Sequence, residues 1–432
     1  MARAAAVRLA LAAALALAVA AVDAAIAPAP AAAAPHVKFG ITDDAWLQDG
    51  PGPLSSRVAR LQSLGAQVVR FTLDWNRIAT TEPAVPTDPQ DAAYDWSDAD
   101  TVLNALHASG MTVVLQLNGT PAWANGGLPP NYAPTSPTSF RDFATAAATR
   151  YPWVKRWLIW NEPNQVRWLR PTSPAVYTAR LLDPAYEAIH EAIPGAQVAG
   201  GGTAPRGATG GVSPVAWIAG MHRAHARLDA YAHNPYPLDP RRESPFRGTC
   251  TKCMTITMAS LGRLVSRVAR FWKHARIWLT EYGYQTNPPD RLLGVSYALQ
   301  ARYLSDADYV AFRTPRVDLL IHFLYKDEPN VARFQSGLVT LGNRVKPALA
   351  AFGLPLAETA RSGTRTSLWG QFRAPGTGSS ARIERRERGG WRTVATVRAG
   401  AGRFFRWRGT LPRRSVVRLQ AGRAIGAPLT IT

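Results

Sequence analysis

Two glutamates each close a short apolar run, Trp157-Leu158-Ile159-Trp160-Asn161-Glu162-Pro163 and Ile277-Trp278-Leu279-Thr280-Glu281-Tyr282-Gly283. Runs of this kind read as buried strands. In a closed barrel of parallel strands the carboxyl ends open on one rim, so Glu162 and Glu281 can face each other across one cleft despite their distance in the chain. Two carboxyl groups so placed can break the bond between a sugar carbon and its oxygen. One protonates the departing oxygen, and the other attacks or stabilises the cationic carbon. Such a pair needs two different surroundings: Glu162 must begin protonated, whereas Glu281 must be ionised and lie near a cation and hydroxyl donors. Arg70, ending the second candidate strand, is the best cation, and Tyr236 or Tyr282 the best donor.

The elements that must position these groups alternate between residues 36 and 356. Candidate strands are Val37–Ile41, Gln67–Thr72, Thr112–Leu117, Val154–Trp160, Gln197–Gly200, Leu228–His233, Arg276–Thr280 and Val317–Tyr325. Amphipathic stretches lie between them, at Leu54–Leu64, Ala99–Ala108, Phe140–Arg150, Ala175–Ile193, Ile256–Phe271 and Ser296–Phe312. Eight such units predict an α/β fold, a (β/α)8 TIM barrel, rather than an open doubly wound sheet, whose glycine-rich phosphate turn is missing. After Pro355 short alternating runs punctuated by glycine-rich turns predict a small C-terminal β-sandwich domain. The chain therefore divides into 1–35, 36–356 and 357–432.

Several motifs in the barrel segment resemble a known family. Trp160-Asn161-Glu162-Pro163 is similar to the fourth-strand Asn-Glu-Pro of clan A retaining glycoside hydrolases, nearest in flavour to families 39 and 5. Further likeness lies in Arg70-Phe71-Thr72-Leu73-Asp74-Trp75-Asn76-Arg77-Ile78, in Glu82-Pro83, in Tyr94-Asp95-Trp96-Ser97 and in Gly119-Thr120-Pro121-Ala122-Trp123. The resemblance implies that Glu162 is the acid/base, that Asn161 binds the sugar 2-hydroxyl and that Glu281 is the nucleophile. It also makes His233 and Tyr236 the pair flanking the nucleophile, and Tyr325 the substitute for a tryptophan sugar platform after strand eight. Aromatic residues on loops that follow barrel strands, Trp46, Trp75, Trp123, Trp168 and Tyr284, could stack on the apolar faces of sugar rings.

The composition fits an exported enzyme that needs no metal and no cofactor. Arg3 and Arg8 flank an Ala/Leu/Val run from Leu9 to Val22, the pattern of a secretory signal peptide, followed by an Ala/Pro-rich tether to Pro35. Its apolar stretch is shorter than the ~20 residues that span a bilayer, so no membrane anchor is expected after cleavage. Cys250 and Cys253 are the only cysteines, too few for a zinc site, and in an exported chain they read as a small disulfide clip. The net charge is +21, and sixteen arginines from Arg361 onward face only Glu384 and Glu387. Attraction to an anionic polysaccharide is one reading of that excess, and arginine-rich compositional drift is the other. No nucleic-acid motif accompanies it. The expected protein is a secreted or cell-envelope monomer acting on a carbohydrate polymer. A transglycosylase or a non-catalytic polysaccharide-binding protein on the same barrel are the alternatives. Scattered histidines speak against a metal-dependent hydrolase, which would need them clustered.

Overall fold

The computed structural model describes residues 36–248 and 254–432, so the expected signal segment and the Cys250–Cys253 clip lie outside the described residues. Eight parallel strands close a barrel in chain order: β1 (Lys38–Thr42), β2 (Val68–Asp74), β3 (Thr112–Asn118), β4 (Arg156–Ile159), β5 (Gln197–Thr203), β6 (Ala230–His233), β7 (Arg276–Tyr282) and β8 (Val317–Phe323). Closure is made by β1 against β8, with Lys38 opposite Leu319 and Thr42 opposite Phe323.

Register decides which side chains reach the lumen, because successive residues of a strand point to opposite faces. Val68, Val114, Leu158, Ala230, Ala232 and Trp278 belong to one buried apolar cluster that fills the barrel. Two positions further along the same inward side lie Arg70 in β2, Asn234 just after β6 and Thr280 in β7, all buried. The alternation that packs the lumen therefore also lays a polar layer on top of it, at the carboxyl rim.

Helices cover the outside, and their starts follow from local chemistry. Ser136, Ser213 and Ser296 each accept a backbone N–H of the first helical turn, from Thr138, Ala216 and Leu299 respectively. Such caps satisfy donors that have no partner within the helix. The stretch expected as one helix from Ala175 to Ile193 is divided into Pro174–Tyr177, a π-helical turn Thr178–Leu182, and Asp183–Ala192. Pro184 has no N–H to give to the preceding turn, and the chain absorbs this by widening the helix before it. The helix Pro214–Arg223 between β5 and β6 was not anticipated.

The C-terminal residues form the expected sandwich. One sheet has the order β13 (Phe404–Thr410), β10 (Arg365–Gln371), β9 (Leu356–Ser362). The other runs β12 (Gly390–Arg398), β11 (Ser380–Glu387), β14 (Val416–Ala421), β15 (Ala424–Ile425), with β16 (Leu429–Thr430) also on β14. Leu368, Phe405, Ile383, Val417 and Leu419 meet between the sheets. Unlike the other long strands, β9 was not legible in the sequence. It starts at the expected domain boundary, directly after the last barrel helix Pro347–Gly353.

The first sheet packs on the barrel helix Tyr297–Arg313. Trp369 lies with its ring centroid 5.6 Å from Tyr309, 5.4 Å from Phe312 and 5.6 Å from Phe404. Beside it Arg373 pairs with Asp308 at 2.7 Å, donates to the Phe352 carbonyl at 2.7 Å, and stacks on Phe39 at 4.0 Å. Both charges of the pair are almost fully enclosed. Asp308→Ala leaves the guanidinium buried without its counter-charge, and should cost about 3–5 kcal/mol in urea unfolding. A companion Asp308→Leu/Arg373→Met variant should recover most of that loss. A loss below about 1 kcal/mol in the single variant would show that the pair does not secure the sandwich.

Candidate active site

Strict alternation along β7 would send Glu281 outward, since Trp278 and Thr280 face the lumen. The β7–β8 register shifts between Leu279 and Tyr282. An irregularity of this kind re-aims side chains locally, and here two consecutive residues serve the cleft. Thr280 donates to the Asn234 carboxamide oxygen at 2.8 Å. Glu281 Oε1 lies 2.7 Å from Arg70 Nη1, and its Oε2 accepts from the Tyr236 hydroxyl at 3.0 Å.

Both partners are themselves held in the required state. Burial works against the Arg70 charge, but the Glu281 and Asp44 carboxylates outweigh it and push its pKa up. Burial, and then the negative charges of Glu281 and Glu162, push the Tyr236 hydroxyl well above its ordinary range, so it stays a donor. The nucleophile candidate is thus gripped at both oxygens by groups that keep their protons.

Glu162 follows β4 through a turn in which Trp160 has φ 69° and Glu162 φ 38°. Left-handed backbone at a residue other than glycine costs roughly 1–3 kcal/mol and persists only where neighbours fix it. The neighbours here are explicit. The Trp160 indole donates to the Trp168 carbonyl at 2.8 Å, and the Glu162 N–H to the Gly202 carbonyl at 3.0 Å. The Asn164 carboxamide donates to the Val212 carbonyl at 2.9 Å and accepts from Ala204 N–H at 2.8 Å. Gly202, at φ 51°, allows the close approach: a Cβ there would stand 3.1 Å from the Trp160 carbonyl oxygen.

This turn puts Glu162 beside Glu281 in an enclosed place, and its pKa is pushed up to about 7. Burial is the main cause and the Glu281 charge the second. Opposing them are the Asn234 carboxamide, which donates to Glu162 Oε1 at 3.2 Å, the Trp168 indole and Arg70. Asn234 therefore bridges the two halves of the site, from Thr280 below Glu281 to Glu162. One carboxyl that burial and a neighbouring charge push toward its protonated form now faces another that an arginine and a phenol grip. That asymmetry is what acid-assisted displacement at a sugar carbon requires.

Of the residues singled out in the sequence, Glu162, Glu281, Arg70 and Tyr236 meet at this point, and Asn161 is buried in the turn between Trp160 and Glu162. Tyr282 backs Tyr236, its ring stacked at 6.5 Å. Trp123 remains half-buried with its indole on the Ala79 carbonyl. Three others do not reach the cleft. His233 is fully buried with one ring nitrogen on Thr203 Oγ1 at 2.8 Å and the other on the Ile256 carbonyl at 2.9 Å, and burial lowers its pKa to about 4. Trp75 has no exposed surface; it opens a short helix that turns away from the lumen and packs on Phe140 and Phe143. Tyr325 lies against Trp46, with ring centroids 3.9 Å apart, and accepts from Arg60 on the helix Leu54–Ser63. The aromatic groups near Tyr236 on that side are instead Phe323, ending β8, and the partly exposed Phe334, at 6.4 and 5.6 Å.

Sequence reasoning missed Asn234, Thr280 and Phe334. Asn234 had a signal, since His233-Asn234-Pro235 closes a strand as Trp160-Asn161-Glu162-Pro163 does. Phe334 had none, because it arrives from a loop far beyond β8.

Comparisons with known proteins agree with the resemblance seen in the motifs. Residues 30–197 match the family described as cellulase (glycosyl hydrolase family 5). No curated protein sequence matches the chain. Among solved structures, a family 39 glycoside hydrolase from the gut symbiont Bacteroides cellulosilyticus WH2 is similar at 16% identity and TM-score 0.60, over 89% of this chain and 80% of that one. A family 39 enzyme from Xanthomonas axonopodis pv. citri is similar at 15% identity and TM-score 0.57, over 93% and 96%. A monomeric β-xylosidase from Caulobacter crescentus CB15 gives 15% identity and TM-score 0.56, over 92% and 96%. At such identities the structural likeness establishes the fold.

Proposed function

We propose that this protein is a glycoside hydrolase that cleaves O-glycosidic bonds of an oligo- or polysaccharide by double displacement, with Glu281 as nucleophile and Glu162 as acid/base. The observation that carries the reading is the unequal treatment of two neighbouring carboxyls. Glu162 is raised to about 7 by burial and by Glu281, while Glu281 is held by Arg70 and Tyr236. In the first half-reaction Glu281 attacks the anomeric carbon and the Glu162 proton passes to the leaving oxygen. In the second, Glu162 takes a proton from water, which displaces Glu281 and restores the starting configuration. Asn161 is the candidate for the sugar 2-hydroxyl, as the motif implies. Phe334 and Trp123 are candidates for ring stacking. The signal-like N-terminus supports export, and the enzyme is expected to meet its carbohydrate outside the cell or in the envelope, as a monomer.

The defining test is stereochemical. NMR of the first-formed product should show the same anomeric configuration as the substrate; inversion would remove Glu281 from the nucleophile role.

A pH prediction follows from Glu162. The reactive form is protonated, so kcat/KM for a substrate with a poor leaving group should fall as pH rises through about 7. Asn234 donates to the ionised form, so Asn234→Ala should move that basic limb upward. A limb left in place by Asn234→Ala would assign it to another group.

A further inference from the structure

The broad face of the sandwich turned away from the barrel carries an ordered set of guanidinium groups. The β9–β10–β13 sheet spends one face on the barrel, through Trp369 and Phe404 against Phe312. Its other face, with the inward side of the β11–β12–β14 sheet, makes the sandwich core, to which Ala381, Ile383, Val417 and Leu419 belong. Side chains alternate along a strand, and although the β11–β12 register shifts between Ile383 and Glu384, the pairing of Glu384 with Arg382 and Arg418 gathers these side chains on the opposite, outward side with Arg386. Register puts Arg418 and Gln420 of β14 beside them, and Trp391 of β12 opposite Arg386.

These residues are organised around one carboxylate. Glu384, almost buried, takes Arg418 Nε at 2.8 Å and Arg382 Nε at 3.6 Å. Arg382 also donates to Gln420 at 2.9 Å while its side chain stays 53% exposed. The Arg418 guanidinium lies 4.2 Å over the Trp391 ring. Arg386, and Arg398 at the far end of β12, are exposed. One negative charge thus aligns two arginines, two more flank them, and a half-buried indole supplies an apolar surface beside them. A solvated sheet face needs no such alignment, whereas arginine forks held in place suit bidentate pairing with carboxylates.

We propose that this face is a binding surface for a uronate-bearing polysaccharide, with the exposed Arg382, Arg386 and Arg398 pairing its carboxylates and Trp391, backed on one side by Arg418, lying against a sugar ring. The proposal rests on the reading of the barrel as a carbohydrate-cleaving enzyme, and it gives four of the sixteen C-terminal arginines a role. It separates holding the polymer from cutting it.

The test uses the full-length protein and two readouts. On immobilised polygalacturonate, Arg382→Gln/Arg386→Gln/Arg398→Gln should bind roughly ten- to a hundredfold more weakly than wild type, because three exposed ion pairs, each weak alone, are lost together. Trp391→Ala should weaken binding severalfold even though no charge is removed. Binding should decline with salt and be absent on a neutral glucan. Activity on a small aryl glycoside should be unchanged in every variant, which also reports that they fold. Equal retention of the triple variant overturns the proposal. So does retention of dextran sulfate or single-stranded DNA at least as tight as polygalacturonate with Trp391→Ala indifferent, which would mark a general polyanion surface. Loss of aryl-glycoside activity in wild type with polymer binding intact would instead defeat the catalytic reading and leave this one standing.

Discussion

Glu281→Gln lowers kcat/KM on every glycoside by roughly 10⁴-fold or more, whatever the leaving group. Loss of a covalent nucleophile in other hydrolases has effects of this size or larger. The reason is that a carboxamide cannot form the glycosyl ester, so leaving-group quality has no step to improve. The geometry adds a stability consequence. Glu281 is the anionic partner of an Arg70 that is buried along with it, at 2.7 Å. The Gln carboxamide keeps one oxygen, which can accept from Arg70, while its NH2 replaces the oxygen that accepted from Tyr236; the guanidinium loses its main counter-charge, and breaking a buried pair commonly costs about 3–5 kcal/mol. Part of that is offset by Asp44, whose charge also acts on Arg70. Far-UV circular dichroism and a thermal melt therefore accompany the kinetics. A folded Glu281→Gln variant that retains more than about a tenth of wild-type activity would falsify the nucleophile assignment.

The second large effect differs in form. Glu162→Ala should reduce turnover of substrates with poor leaving groups by roughly 10²–10⁴-fold, the usual worth of general acid catalysis. With an activated aryl glycoside the first displacement should proceed nearly as before, because a good leaving group departs without a proton. The intermediate then accumulates, since no base activates water, and a burst of aryl product is followed by a slow steady state. Azide needs no deprotonation to attack, so it should accelerate the second step and yield a glycosyl azide of retained configuration. A uniform loss across leaving groups, with no azide response, would move the acid/base role elsewhere. The pH limb at about 7 should vanish in the same variant. Its persistence would mean that Glu162 is not the group that sets it.

Much of this protein was legible in its residues, for a physical reason. Apolar runs such as Thr112–Leu117 and Arg276–Thr280 declare buried strands because their backbone and side chains have few other favourable states. Their alternation with amphipathic stretches leaves few chain paths apart from a closed barrel. A glutamate at the end of such a run must then lie on the carboxyl rim, which is how Glu162 and Glu281 could be paired across a long stretch of sequence. Arg70 was found in the same way, as the charge the chemistry needs at a strand end, while the hydroxyl was narrowed to Tyr236 or Tyr282 and the structure places Tyr236 on Glu281.

What the tertiary structure alone decided was direction and occupancy. Trp75 and Tyr325 sit at the right strand ends, but a helical turn and a stacking partner draw them away from the cleft. The hydrogen-bonding capacity of His233 is used up by Thr203 and the Ile256 carbonyl. Strand period predicts that Glu281 faces outward, and only the register shift in β7–β8 brings it inside. The pKa of Glu162 exists in no local segment at all, because burial and the Glu281 charge come from strands distant in sequence. The sequence by itself determined the barrel, the sandwich and the two glutamates, since these follow from local pattern and chemical type. The tertiary structure decided which face each side chain takes and how it is protonated, because both depend on neighbours that meet only when the barrel closes.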